Sequence, residues 1–200
     1  MVLNVNLEPR DNSANFGGAD FPWMSVNIDG NFELNATFNS NDKVDFVSIP
    51  YFDSEGGQSS FSVTGDVKIS VVTIAPNANQ KNASTQAFTF TADASSSEEA
   101  KKTVNIGNPN STFSLFTAFF KNPDNYDKAD TMAGANGVYA WGSTDINIKA
   151  GKKVQIISVA DYADAISAKQ GGRVDLGSPE MLQVIGVVDF FTGGYNGAAT

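Results

Sequence analysis

The sequence contains no cysteine and no histidine. Without cysteine there is no disulfide, no thiolate nucleophile and no sulfur-ligated metal site. Without histidine the commonest general base, every Ser-His-Asp or Cys-His arrangement and the usual transition-metal ligand are gone. Arginine is almost missing as well: Arg10 and Arg173 stand beside 22 acidic residues, and the formal net charge is −9. A nucleic-acid binder needs a basic face and favours arginine for phosphate, so direct contact with nucleic acid is not expected, nor is docking on anionic lipid. Met1–Arg10, MVLNVNLEPR, lacks the basic start and the apolar run of about 7–15 residues of a secretory signal. No apolar run approaches the ~20 residues of a helical membrane span. The expectation is of a protein that neither enters a membrane nor is exported by that route.

Leucine is scarce too, with 6 Leu against 17 Val, 11 Ile and 15 Phe. β-Branched and aromatic residues suit a pleated surface, whereas leucine is the usual core residue of helices. The 18 Gly, 20 Asn, 19 Ser and 13 Thr supply turns and compete with helical hydrogen bonding. A chain of 200 residues suits one domain with a sizeable core. The expected fold is therefore all-β, an antiparallel β-sandwich or barrel of the jelly-roll kind, in a single domain spanning 1–200. It would carry an extended N-terminal segment over about 1–20 and a polar hairpin arm over about 75–87.

Along the chain, Met24, Val26 and Ile28 alternate up to Asp29-Gly30-Asn31, after which Phe32, Leu34, Ala36 and Phe38 alternate again, and this predicts a hairpin. A second hairpin is predicted for Asp145–Lys149 with Lys152–Val159 around Ala150-Gly151. A third joins Val67–Ile74 to Phe88–Thr91 through the polar arm. Asp161–Lys169, DYADAISAK, begins on a capping residue and stops before Gly171-Gly172, which predicts one short helix. No internal repeat stands out.

Two strands depart from half-buried alternation. In Phe113–Phe120 and Met181–Phe191 apolar groups fall on both faces, so a second side needs covering. Apolar patches above a few hundred Å² usually mark contact sites. Phe113, Phe116, Phe119, Phe120, Phe190 and Phe191 are therefore candidate interface residues, joined by Asn77, Asn79 and Asn82 of the arm.

Little else points to chemistry. Asp124, Asp127 and Asp130 are evenly spaced acids, a weak metal candidate without the EF-hand spacing. No catalytic group and no cofactor are expected, and the chain does not read as an enzyme. Trp23, Trp141, Tyr51, Tyr126, Tyr139, Tyr162 and Tyr195 could supply a sugar-stacking platform, although aromatics of a β protein more often belong to its core or rim. The functional expectation is a structural protein of a virus particle, first a phage capsid decoration protein located on the virion. It would contact its own subunits, as a trimer for example, and a major capsid or other virion protein. A tail-tube or other virion subunit and a lectin-like or adhesin-like carbohydrate-binding module are the alternatives.

Overall fold

One pattern recurs along the chain: two apolar residues spaced by one, a glycine-containing corner, then two more apolar residues spaced by one. It appears as Val26, Ile28, Gly30, Phe32 and Leu34, then as Phe61, Val63, Gly65, Val67 and Ile69. It returns as Val104, Ile106, Gly107, Phe113 and Leu115, as Ile146, Ile148, Gly151, Val154 and Ile156, and as Val174, Leu176, Gly177, Leu182 and Val184. The structure, a computed structural model, describes residues 2–7, 15–17, 25–39, 46–48, 51–52, 59–74, 83–91, 102–120 and 133–188. It shows what the pattern encodes, which is a coil wound around a shared interior.

The first turn runs through β1 (Val2–Leu7), β2 (Asn15–Gly17) and β3 (Ser25–Ile28). The second holds β4 (Phe32–Asn39), β5 (Phe46–Ser48), β6 (Tyr51–Phe52) and β7 (Ser59–Val63). β8 (Val67–Ile74), β9 (Ala83–Thr91) and β10 (Lys102–Ile106) form the third, and β11 (Thr112–Phe120), β12 (Ala133–Trp141) and β13 (Thr144–Ile148) the fourth. β14 (Lys153–Ala160), β15 (Tyr162–Lys169) and β16 (Arg173–Asp175) complete the fifth, and β17 (Met181–Val188) opens another. The leading strands stack as sheet A in the order β1-β4-β8-β11-β14-β17; sheet B is β15-β12-β9-β5-β2, with β6 also on β9; sheet C is β16-β13-β10-β7-β3. Every pairing is parallel, and the registers put each strand directly on its counterpart one turn away, as in Phe32↔Val67, Val67↔Phe113 and Val154↔Leu182. The architecture is a three-faced parallel β-solenoid, in which each turn packs on its neighbours.

This overturns the antiparallel sandwich or jelly roll. β3 and β4 flank Asp29-Gly30-Asn31 as expected, but they lie in different sheets, and so do β13 with β14 and β8 with β9. Alternation records which side of a strand faces the interior and says nothing of where the next strand goes. A tight polar turn between two alternating runs serves a corner as well as a hairpin. The predicted helix over 161–169 is also replaced, by β15, and among the described residues there is no helix. The repeat, which was not apparent from spacing alone, is obscured because the turns differ in length. Lys68 and Ser114, stacked neighbours in sheet A, are much farther apart in sequence than Gln155 and Gln183. The arm expected over 75–87 falls partly outside the described residues, and its last residues, from Ala83 on, belong to β9.

The interior is closed by the three sheets together. Phe32 on sheet A, Phe61 on sheet C and Phe88 and Phe90 on sheet B are all buried. Phe61 packs edge-on to Phe32 at 6.0 Å and to Phe88 at 6.1 Å, and lies 5.8 Å from Phe90. Phe88 in turn meets Phe113 at 5.8 Å. Each such ring contributes about 1.5–3 kcal/mol by burial, with about 0.5–1.5 kcal/mol more for a well-oriented aromatic pair. A few hydroxyls share this space. Thr73 and Thr85 pair across sheets A and B at 2.5 Å, whereas the buried Thr117 hydroxyl has no hydrogen-bond partner among the described residues.

The corners between sheets C and A are stacked and tied together. Asn31 Oδ1 accepts from the Asp66 backbone N–H at 2.9 Å, Asp66 Oδ1 accepts from that of Thr112 at 2.8 Å, and Asn108 Nδ2 donates to the Thr64 carbonyl at 2.6 Å. Gly107 takes φ +79° there, and a Cβ on Gly151 would collide with the backbone of Pro109 one turn below.

Two stability measurements check this interior. Thr117→Val, which removes an unpaired buried hydroxyl at nearly constant shape, is expected to raise the free energy of unfolding by about 1 kcal/mol in urea titration. Phe61→Ala, which empties the point where all three sheets meet, should lower it by about 3–5 kcal/mol.

Candidate functional site: an aromatic platform on sheet B

In an undisturbed strand, inward and outward residues alternate, but in sheet B the alternation reverses once. Ala87 and Phe88 are consecutive and both buried in the core; one turn on, so are Gly137 and Val138. A Cβ on Gly137 would meet the buried Ile156 and Ser158 side chains, so this position faces inward. Ala165 and Ile166 repeat the arrangement on β15, Ala165 buried and Ile166 packed against the core. Two adjacent inward positions break the period of two, which explains why DYADAISAK reads as helical. Ladder hydrogen bonding to β12 then overrides local propensity.

The reversal has a chemical result. Had the parity of Ala135 and Gly137 continued, Tyr139 and Trp141 would point into the core. Instead Val138 and Ala140 are fully buried, and Tyr139 and Trp141 stand half-buried on the outer face. Their rings lie 6.2 Å apart and 16° from parallel. The registers place Thr89 and Ser167 beside Tyr139, and Thr91 and Lys169 beside Trp141. Lys169 Nζ sits over the Tyr139 ring, 5.8 Å from its centre. Farther along the same face, Gln86, Asn136 and Asp164 form one cross-strand row. Gln86 Oε1 accepts from the Thr89 hydroxyl at 3.0 Å, and Tyr162, half exposed, donates its hydroxyl to Asp164 Oδ2 at 3.2 Å.

Both phenols ionise above the ordinary tyrosine range. Burial holds the Tyr139 proton on. At Tyr162 the Asp164 charge is the main cause, followed by burial and by the hydrogen bond. The face thus offers two nearly parallel aromatic rings, an ammonium, a carboxylate and two amides on a cross-strand ladder. That set can stack on an apolar ring face and bond to hydroxyls around it.

Sequence reasoning named Tyr51, Tyr139, Trp141 and Tyr162 among possible sugar-stacking aromatics, and the structure brings these four onto one sheet, Tyr51 opposite Thr89 in the row of Tyr139. Lys169, Asp164, Gln86 and Asn136 were missed, because only the register aligns them. Trp23, Tyr126 and Tyr195 fall outside the described residues.

The candidate interface residues divide. Phe113 and Phe119 point into the solenoid and are buried; Phe116 is half-buried and Phe120 is 43% exposed on the outer face of sheet A. Around these two, Ile74, Val72, Ile157, Val159, Ile185 and Val187 continue an apolar outer face. Phe190, Phe191, Asn77, Asn79 and Asn82 lie outside the described residues, as do Asp124, Asp127 and Asp130. Among the described residues no three acidic side chains are grouped to hold a metal ion, and no helix is long and apolar enough to cross a membrane.

In alkaline titration followed by ultraviolet absorbance, Tyr139 and Tyr162 should ionise after free tyrosine. Asp164→Asn should move Tyr162 back toward the ordinary value of about 10. Because these pKa values are raised in the folded state, the stability they contribute is present below about pH 10 and is lost as the pH climbs past it. Compared with protein-family models, with curated proteins and with solved structures, the chain matches none.

Proposed function

We propose that the solenoid is a rigid, adhesin-like scaffold that presents a carbohydrate-binding face, and that this face is the outer surface of sheet B. The observation that carries the reading is the Tyr139–Trp141 pair, turned outward by the parity reversal and held nearly parallel at 6.2 Å. Aromatic side chains left half-exposed on a folded surface cost solvation that their burial would have recovered. A ring-stacking ligand offsets that cost. The polar row of Gln86, Asn136 and Asp164 supplies donors and acceptors at fixed strand spacing, which is the way a pocket with few polar groups sets orientation. The ladder on both sides of β12 keeps the platform preorganised, so little entropy is lost on binding.

A second reading, a virion structural subunit such as a capsid decoration protein, is favoured by one observation. The outer face of sheet A carries Phe116, Phe120, Ile157, Val159 and Ile185 in adjoining rows, with Phe120 and Val187 more than 40% exposed. Apolar faces of this kind suit contact with another subunit.

Binding of neutral and acidic oligosaccharides measured by calorimetry tests the first reading. Trp141→Ala and Tyr139→Ala should each weaken a bound saccharide by tenfold or more, about 1.4 kcal/mol, while Phe120→Ser leaves it unchanged. Light scattering tests the second reading: association at micromolar concentration that Phe116→Ser with Phe120→Ser abolishes would support it, and a monomer insensitive to both would count against it.

A further inference from the structure

We infer that the ligand of the sheet B platform is a carboxylated saccharide, of the uronic-acid type, whose carboxylate pairs with Lys169 while an adjoining ring stacks on Trp141 and Tyr139. The inference rests on the saccharide reading and adds the charge of the ligand to it.

The argument begins with what Lys169 does in the protein alone. It is exposed and stands beside Trp141 in the cross-strand row. Its ammonium lies over the Tyr139 ring at 5.8 Å, an attraction of about 0.5–1 kcal/mol at an exposed site. Among the described residues no carboxylate pairs with it, whereas Lys68, on another sheet, pairs with Glu33. The acid on the same strand, Asp164, is five residues back. At a strand rise of about 3.3 Å per residue that places it roughly 17 Å away, beyond the screening length of about 8 Å in physiological salt. Asp164 is moreover engaged by Tyr162.

Among the described residues, a chain with net charge −9 and 11 Lys therefore keeps an ammonium with no carboxylate beside it at the edge of its outward aromatic pair. A neutral sugar would use the rings and leave this charge idle. A carboxylate would replace a weak ring contact by a charge-assisted hydrogen bond, which is about twice as strong as a neutral one. The general repulsion of a −9 protein decays within the same screening length, so a single contacting carboxylate is governed by the charge beside it. The polar row at Asp164 marks the other end, where hydroxyls rather than acid groups fit.

The test uses the full chain and isothermal titration with uronic-acid trisaccharides of galacto, gluco and manno configuration, each against its carboxyl-reduced neutral counterpart. At least one acidic sugar is expected to bind tenfold or more tightly than its neutral partner. Lys169→Gln should shrink that preference to within threefold, with far-ultraviolet circular dichroism unchanged, while Trp141→Ala weakens acidic and neutral sugars alike. Equal binding of acidic and neutral sugars, or a preference that survives Lys169→Gln, overturns the carboxylate assignment and leaves the platform standing. Binding of neither kind, or binding indifferent to Trp141→Ala, removes the saccharide reading and this inference together.

Discussion

Everything in this molecule follows from a closed interior with three walls. A residue that faces inward must fit against two other sheets at once and against the turns before and after it. Phe61 satisfies all of these demands, touching Phe32, Phe88 and Phe90 on the other two walls. In an ordinary parallel sheet, helices cover both faces and the strands read as continuous apolar runs. Here the sheets cover one another on the inside only. Outward positions are thereby released from packing, and they are where recognition chemistry can be placed.

The same constraint explains which parts of the fold were legible. The scarcity of leucine and the excess of valine, isoleucine and phenylalanine reported β-structure correctly, and the alternation of Phe32, Leu34, Ala36 and Phe38 identified inward residues correctly. Strand direction was not legible, because Asp29-Gly30-Asn31 serves a corner and a hairpin equally well. Nor was the repeat, although its corners all carry glycine, because the connections between sheets vary from turn to turn. The reading of Phe113–Phe120 as apolar on both sides held in structure: its odd-numbered phenylalanines fill the interior, while Phe116 and Phe120 face out.

The platform was half legible. Aromatic composition drew attention to Tyr139, Trp141 and Tyr162, but composition cannot say which of them face outward. That is decided by a shift of parity shared by Ala87-Phe88, Gly137-Val138 and Ala165-Ile166, visible only when three strands are laid in register. Gly137 makes the shift possible on the middle strand, since a side chain there would meet Ile156 and Ser158. Lys169 and Asp164 carry no sequence signal of their place on this outer face, because they resemble the cap and tail of a helix that does not form.

The junctions between turns are unequal. From sheet C to sheet A the chain always crosses in a few residues, from Ile28 to Phe32, Val63 to Val67 and Ile148 to Lys153, through corners clamped by Asn31, Asp66 and Asn108. From A to B it runs briefly between Ala160 and Tyr162 but at length between Phe120 and Ala133. The solenoid therefore has a keel along one edge that tolerates little change, and two edges on which length has already been free to vary. Because loop closure costs grow only slowly with length, new segments can be inserted at the long A-to-B crossings without disturbing the keel, so the scaffold can acquire further surfaces while its interior stays the same.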